Sequence, residues 1–221
     1  YTTGNTLSLH DALPISSGSG TNLQALIDAS RERDFPGEII AVGCNKPDAF
    51  ALERAALANI PTFVVNHKNH GSREEFDGAL MAELRRYNPD LIVLAGFMRI
   101  LTADFVRAFR GKMLNIHPSL LPAYTGLKTH QRVLEAGDKV HGVSIHFVTE
   151  ELDGGPVIAQ AQVPVHDDDT ETSLAERVQQ QEHVLYPIVV SWFCQGRIQL
   201  GSDHVLFDGE PLSEPMRLSQ D

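Results

Sequence analysis

Cysteine and basic residues are both scarce in this sequence of 221 residues, and each scarcity excludes a class of protein. The two cysteines, Cys44 and Cys194, stand in apolar segments with neither a CxxC motif nor a Cys/His metal spacing. That usage favours a reduced, cytoplasmic setting over a disulfide scaffold. The 18 Lys and Arg residues against 29 Asp and Glu residues give a net charge of -11. Such an excess argues against nucleic-acid binding, which depends on cations that neutralise phosphates.

Long apolar runs and metal-binding arrays are missing as well. No run approaches the roughly 20 residues that a membrane-spanning helix needs. The segment from Leu7 to Ile15 does not match a signal peptide, since His10 and Asp11 interrupt it and no basic leader precedes it. The ten histidines form no HExxH-like array, so the sequence predicts no metal. We expect a cytoplasmic monomer or homodimer whose partners are small molecules, with no nucleic acid and no membrane among them.

The sequence contains short apolar runs that alternate with helical patterns. With 42% hydrophobic residues the chain can bury one large core. The apolar runs lie at residues 37–45, 61–65, 90–97 and 112–119. Because they are continuously apolar rather than alternating, they indicate parallel strands that are covered on both faces. The pattern predicts an α/β fold with a mostly parallel sheet and helices on both faces.

The second half of the chain has a different pattern. Residues 141–150 and 156–165 form two longer, partly alternating runs, which predict an antiparallel extension of the sheet. The acidic run 167–169 is interpreted as a solvated loop, and a long helix is predicted from Glu171. The runs RIQL and HVLF predict a terminal hairpin, so residues 201–221 are assigned as a hairpin and tail of the main domain, 16–200.

Residues 1–15 fit this pattern poorly. A doubly wound fold begins with an apolar strand that leads into a glycine-rich turn, whereas YTTGNTLSLHDALPI is polar and weakly patterned. Either a strained edge strand replaces the usual first strand, or this atypical segment is foreign to the natural gene product.

A glycine-rich loop follows, in Gly18-Ser-Gly-Thr-Asn22, directly before a predicted helix. Glycines let a ligand approach the backbone closely, and free N–H groups at a helix N-terminus favour a phosphate. The same pattern also occurs in ordinary loops. It lacks the GxGxxG spacing and the acidic residue about 20 positions on, which disfavours a dinucleotide site.

Three polar residues are candidates for catalysis. Asn115 and His117 end a predicted central strand and point to the same side of it. An amide N–H can stabilise an oxyanion, and an imidazole can exchange a proton near neutral pH. Asp153 lies in an Asp-Gly-Gly turn after a strand that could pair beside theirs, and a carboxylate near His117 would favour the protonated imidazole. A capping histidine and an ordinary turn remain the alternatives for each motif alone.

Together the segments resemble the phosphoribosylglycinamide formyltransferase family of purine synthesis, in order and with natural spacing from about Ser17 to Leu200. The segments that carry the resemblance are SGSGTNLQALIDA, CNKPDAF, SREEFD, LAGFMRIL, LNIHPSLLP, HGVSIHFVTEELDGGPVIAQ and QEHVLYP. The resemblance implies a Rossmann-like α/β formyltransferase fold with a mostly parallel twisted sheet, in a formyltransferase domain at 16–200. It also implies direct transfer of a formyl group from the co-substrate 10-formyltetrahydrofolate to the amine of glycinamide ribonucleotide.

The resemblance also implies roles for individual residues. Asn115, His117 and Asp153 match the catalytic trio of the family. The residues that it implies for ligands are Gly20, Thr21 and Asn22 for the phosphate, Glu182 for the amine end of the substrate, and Arg73, Met98, Arg99, Ile100, Leu101 and Asn115 for the folate. The local sequence of Arg99 fits either a paired charge or a surface side chain. The resemblance implies that main-chain groups around Arg99 and Leu101 bind the pterin ring.

Four other functions compete with this interpretation. A formyltetrahydrofolate deformylase would share the Asn/His/Asp chemistry but carries an N-terminal regulatory domain, for which the residues before Ser17 are too few. A methionyl-tRNA formyltransferase would need an RNA-binding domain and a basic surface. A non-catalytic nucleotide-binding module could share the fold, since fold alone never specifies activity. A nicotinamide dehydrogenase lacks support without a dinucleotide fingerprint.

Overall fold

A computed structural model describes residues 10–218 of the chain. The strands are β1 (His10–Ser16), β2 (Gly37–Ile39), β3 (Val42–Cys44), β4 (Thr62–Val64), β5 (Leu91–Leu94), β6 (Met113–His117), β7 (Val140–Phe147), β8 (Val157–Pro164), β9 (Ile198–Leu200), β10 (Val205–Phe207), β11 (Glu210–Pro211) and β12 (Met216–Arg217). The α-helices are α1 (Thr21–Ser30), α2 (Phe50–Leu57), α3 (Arg73–Tyr87), α4 (Ala103–Ala108), α5 (Thr129–Ala136) and α6 (Glu171–Cys194), and a 3-10 turn covers His67–Asn69.

The main sheet has the strand order β12-β8-β7-β6-β5-β1-β3-β4, with β2 also paired to β1. Strands β4, β3, β1, β5 and β6 pair in parallel, whereas β6, β7 and β8 pair antiparallel. Strands β9, β10 and β11 form a separate antiparallel sheet near the C-terminus. The predicted α/β fold with an antiparallel extension is therefore confirmed.

Helices cover both faces of the sheet, and successive strand residues point into opposite layers. In β5, Leu91 and Val93 belong to a hydrophobic cluster with α1 and α6, while Ile92 and Leu94 belong to a second cluster with α3 and α4. This period of two explains why the strand reads as a continuous apolar run. No helix among residues 10–218 is long and apolar enough to cross a membrane.

Strand β1 differs from the expected strained edge, because it lies inside the sheet between β5 and β3. Leu13 and Ile15 are fully buried in one cluster, and Ala12 is buried in the other. Pro14 has no N–H to donate, and it stands where the partner of β1 changes from β2 to β3. Residues 10–15 therefore share the fold of the main domain, and residues 1–9 lie outside the described part.

Two predicted helices begin at side-chain caps. The Ser72 hydroxyl accepts a hydrogen bond from the backbone N–H of Glu75, as the capping motif predicts, and the Glu75 carboxylate accepts from the N–H of Gly71. At the start of α6, the Thr170 and Ser173 side chains cap each other's backbone N–H groups. These caps set the starting points of α3 and α6, the second of which packs against α1, β7 and β8.

Asp169, expected to be solvated, is buried instead, with a side chain that is 3% exposed. Two nitrogens of Arg177 donate to its two oxygens at 2.7 and 2.8 Å, and this pairing holds the pKa of Asp169 well below its usual range. The sequence could not indicate this because Arg177 lies two helical turns further along the chain.

We expect Asp169→Asn to lower the free energy of unfolding at pH 7 by about 2 kcal/mol, because charge-assisted hydrogen bonds are lost. A carboxyl whose folded-state pKa is depressed stabilises the protein above its unfolded pKa, and this stabilisation is lost as the pH falls through the folded pKa. The difference between the two proteins should therefore stay constant from about pH 8 to pH 5 and shrink below about pH 4. Urea unfolding of both proteins at several pH values measures this difference in the free energy of unfolding. Equal free energies of unfolding for the variant and the wild type at pH 7 would contradict the prediction.

Candidate active site

The glycine-rich loop joins β1 to α1 at the carboxyl edge of the sheet. Gly20 adopts a left-handed conformation (φ 68°), and a Cβ there would lie 2.8 Å from the Cα of Ala51. Glycine is thus required both by the backbone angle and by the close approach of α2. The loop borders a cavity of about 340 Å³, which Thr21 and Asn22 also line.

Two polar atoms at this cavity are buried without a partner among the described residues, namely Ser16 Oγ and Asn22 Oδ1. A buried polar atom without a hydrogen bond costs about 1–3 kcal/mol. A polar ligand in the cavity would recover that cost. The predicted phosphate loop therefore borders a cavity with unsatisfied polar groups.

Helix α6 supports the loop through two side chains on one of its faces. Gln179 Nε2 donates to Thr21 Oγ1 at 3.2 Å, and Asn22 Nδ2 donates to Glu182 Oε2 at 2.8 Å. Burial raises the pKa of Glu182. Glu182 thus contacts the phosphate loop, and none of its described hydrogen bonds reaches Asn115, His117 or Asp153. Its implied role at the amine end of the substrate stays a prediction.

Sequence reasoning missed two residues that line this cavity, Lys46 and Gln179. Lys46 follows β3 closely, and the position of a cation just beyond a parallel strand was the available signal. Gln179 had no comparable signal, since its place depends on how α6 crosses the sheet.

The structure brings the three predicted catalytic residues together at the end of β6. His117 Nδ1 lies 3.5 Å from Asp153 Oδ2, and its Nε2 lies 2.9 Å from the backbone oxygen of Tyr124. Both neighbours can only accept hydrogen bonds. Each ring nitrogen of His117 therefore faces an acceptor.

Asp153 is held in place by contacts with residues outside its own turn. It has a left-handed backbone (φ 53°), and its side chain is 8% exposed. Its Oδ2 accepts a hydrogen bond from the backbone N–H of Gly126 at 2.8 Å, and its Oδ1 lies 3.9 Å from His146 Nε2. The carboxylate is thus enclosed and directed toward two imidazoles.

His146, which sequence reasoning missed, connects Asn115 to Asp153. Its Nδ1 lies 2.9 Å from the backbone oxygen of Phe147 and so carries the proton, which leaves Nε2 to accept from Asn115 Nδ2 at 3.1 Å. Burial lowers the pKa of His146, which agrees with a neutral ring. One amide hydrogen of Asn115 is thereby fixed, and the other has no acceptor among residues 10–218. Antiparallel pairing of Asn115 with His146 creates this contact.

A second cavity, of about 120 Å³, lies on the other side of the segment 94–101. Arg99, Ile100 and Leu101, which the resemblance assigns to the folate, line it together with Asn115 and Asp153. The Arg99 guanidinium lies 4.9 Å from the centre of the Phe76 ring rather than in an ion pair or at a free surface, and its Nε is buried without a described partner.

Two other residues that the resemblance assigns to the folate do not line this cavity. Met98 is 74% exposed and lines the phosphate-loop cavity, because its backbone N–H donates to Ser17 Oγ at 3.1 Å. Arg73 is exposed at the first position of α3 and is not among the residues that line the second cavity. Among residues 10–218, no group of three or more His, Cys, Asp or Glu side chains could hold a metal ion.

The fold defines an α/β protein with two cavities at the carboxyl edge of its sheet, the second of which Asn115 and Asp153 line. Residues 12–190 match the model of the formyl transferase family, and the chain belongs to that family.

Named relatives agree with this assignment. The phosphoribosylglycinamide formyltransferase of Escherichia coli K12 is 53% identical over 196 residues, which cover 89% of this chain and 92% of that protein. The enzyme of the same name from Haemophilus influenzae is 48% identical over 196 residues, which also cover 89% of this chain and 92% of that protein. A solved phosphoribosylglycinamide formyltransferase structure from Coxiella burnetii has a TM-score of 0.91 and 46% identity, and covers 96% of this chain and all of that one.

Proposed function

We propose that this chain transfers the formyl group of 10-formyltetrahydrofolate to the amine of glycinamide ribonucleotide, in the cytoplasm and as a step of purine synthesis. The observation that carries the proposal is the segment 94–101, whose residues line both cavities. Ala95, Gly96 and Met98 line the phosphate-loop side, whereas Phe97 and Arg99 line the other side. A phosphorylated amine and a formylated folate can thus approach each other across one edge of the sheet.

Attack of the neutral amine on the formyl carbon forms a C–N bond and places a negative charge on the formyl oxygen. The second amide hydrogen of Asn115 donates to that oxygen. The N–H at Nε2 of His117 leaves the backbone oxygen of Tyr124 and donates to the same formyl oxygen, which stabilises its charge. As the bond to the folate nitrogen breaks, that nitrogen gains a proton and the attacking amine loses one. Asp153 stabilises the positive charge of His117. It also accepts the amine proton through water and returns that proton through water to the folate nitrogen, so the carboxylate is regenerated. The amine is itself the nucleophile, so no covalent enzyme intermediate forms.

The test is the absorbance change on mixing the protein with glycinamide ribonucleotide and a 10-formylfolate. We expect the change only when both ligands are present. Release of formate without glycinamide ribonucleotide would favour the hydrolase instead, and ligand binding without turnover would favour a non-catalytic module. The oligomeric state, monomer or homodimer, stays a prediction that sedimentation can measure.

Replacing Asn22 with Ala tests the phosphate loop. Its amide joins the loop to Glu182, so we expect the Michaelis constant for glycinamide ribonucleotide to rise about tenfold and that for the folate to stay nearly unchanged. Steady-state kinetics with each substrate varied in turn measures both constants. Equal changes in the two constants would mean that the loop is only structural.

A further inference from the structure

Arg54, on helix α2, lies behind the phosphate loop. Its Nε donates to the backbone oxygen of Ser19 at 2.8 Å, and its Nη1 donates to Gln24 Oε1 at 3.2 Å. The guanidinium also lies 4.8 Å from the centre of the Phe50 ring, one turn earlier on the same helix. These contacts hold the guanidinium against the Ser19 carbonyl, at the edge of a cavity of about 520 Å³ that His183 and Pro187 of α6 also line.

The contact with Ser19 sets the direction of a peptide group. In a planar trans peptide, the C=O of one residue and the N–H of the next point in opposite directions. Arg54 draws the Ser19 carbonyl toward α2, so the N–H of Gly20 points away from α2. In the same way the backbone N–H of Ala51 binds the Gly18 carbonyl at 3.2 Å, which turns the N–H of Ser19 away from α2.

The two N–H groups oriented in this way are available to a ligand. Within residues 10–218, neither Ser19 N–H nor Gly20 N–H donates a hydrogen bond to any described acceptor. A carbonyl oxygen turned toward the cavity would repel a phosphate, whereas an N–H binds it. The orientation of these peptides therefore decides whether the loop accepts an anion.

The charge of Arg54 is not balanced by a carboxylate. Its hydrogen-bond acceptors are a backbone carbonyl and an amide oxygen, and no ion pair involves it in the part of the chain described, residues 10–218. In a protein with a net charge of -11, a fixed positive charge behind the loop offsets the surrounding repulsion of an anion.

We propose that Arg54 is a positioning residue for the substrate phosphate, which holds the Ser19 carbonyl against α2 so that the loop presents N–H groups to the cavity. The inference rests on the proposed function, because it concerns the phosphate of that substrate. Arg54 acts through the loop and touches neither the formyl group nor the amine in this account, so its loss affects binding of the phosphate rather than the chemical step.

The experiment compares R54M and R54K with a matched control, R110M. Arg110 also donates to backbone carbonyls, those of Gly201 and Ser202, and stands just before β6 at the opposite edge of the sheet. R110M therefore removes the same charge and the same type of contact away from the loop. The readouts are kcat, both Michaelis constants, and the affinity for inorganic phosphate measured by calorimetry.

For R54M we expect about a tenfold rise in the Michaelis constant for glycinamide ribonucleotide and in the dissociation constant of phosphate, with kcat and the folate constant within about twofold of wild type. R110M should leave all four values near wild type. R54K keeps the positive charge, but its single ammonium group cannot reproduce the planar arrangement of N–H donors in the guanidinium. We therefore expect a smaller rise in the same two constants.

Several results would overturn the proposal. Unchanged phosphate affinity in R54M is one, and an equal rise in both Michaelis constants is another. An R54K protein that matches wild type would mean that charge alone matters, not the orientation of the Ser19 carbonyl. If R54M does not fold, R54K decides the question by the same criterion. Absence of turnover in the wild type would contradict the proposed function, while the calorimetric comparison would still test Arg54.

Discussion

Asp153→Asn is expected to lower kcat about 10³-fold while both Michaelis constants change little, since general acid–base groups contribute about 10² to 10⁴ in rate. The carboxylate is enclosed, lies 3.5 Å from His117 and accepts from the N–H of Gly126. The amide of an asparagine can keep the contact with Gly126, so the turn should survive. It carries no charge to keep His117 protonated and accepts no proton from the amine.

Single-turnover and steady-state kinetics measure this effect, and Asp169→Asn serves as the control. Asp169 is also a buried, paired carboxylate, but its partner is Arg177 and the proposed mechanism does not use it. We expect the control to lose stability and to keep its kcat. Activity of Asp153→Asn within a factor of about two of wild type would remove Asp153 from the mechanism.

Asn115→Leu is expected to lower kcat by about 10² to 10³, because a single oxyanion donor contributes about 3 kcal/mol to the transition state. Leucine has nearly the shape of asparagine but donates no hydrogen bond, either to the oxyanion or to His146. The neutral ring of His146 would lose its partner at Nε2, and the enclosed site would lose its one oriented amide.

The measurement is kcat with both substrates saturating, together with a thermal melting curve. Asn69→Leu is the control, since Asn69 is exposed in the 3-10 turn of residues 67–69. A variant at position 115 that melts like wild type and keeps its kcat would exclude Asn115 as the oxyanion donor.

The sheet could be predicted where a strand is buried on both faces. Leu91 to Leu94 form a continuous apolar run because alternate side chains enter two different hydrophobic clusters. Strand β1 escaped the same reasoning because its apolar run is short, contains Pro14 and follows polar residues. Pairing with its neighbours β5 and β3 places β1 in the sheet, and its own sequence does not indicate that pairing.

The site could be predicted where its geometry is local. Asn115 and His117 share one side of a strand because side chains alternate along it, and the loop from Gly18 to Asn22 meets a helix N-terminus next to it in the chain. Met98 and Arg73 were assigned to the folate side by resemblance. The position of Met98 depends on a hydrogen bond from its backbone to Ser17, 81 residues away, which no local pattern contains.

By itself, the sequence determined the α/β class, the strand that carries Asn115 and His117, and the loop with free N–H groups, because each depends on periodicity or on neighbours in the chain. Only the tertiary structure decided that His146 faces Asn115, that Asp153 meets His117, and that Arg54 turns the peptide after Ser19. Those contacts join residues 31, 36 and 35 positions apart. Strand register and helix packing set them, and both follow from burial of the whole chain rather than from any segment alone.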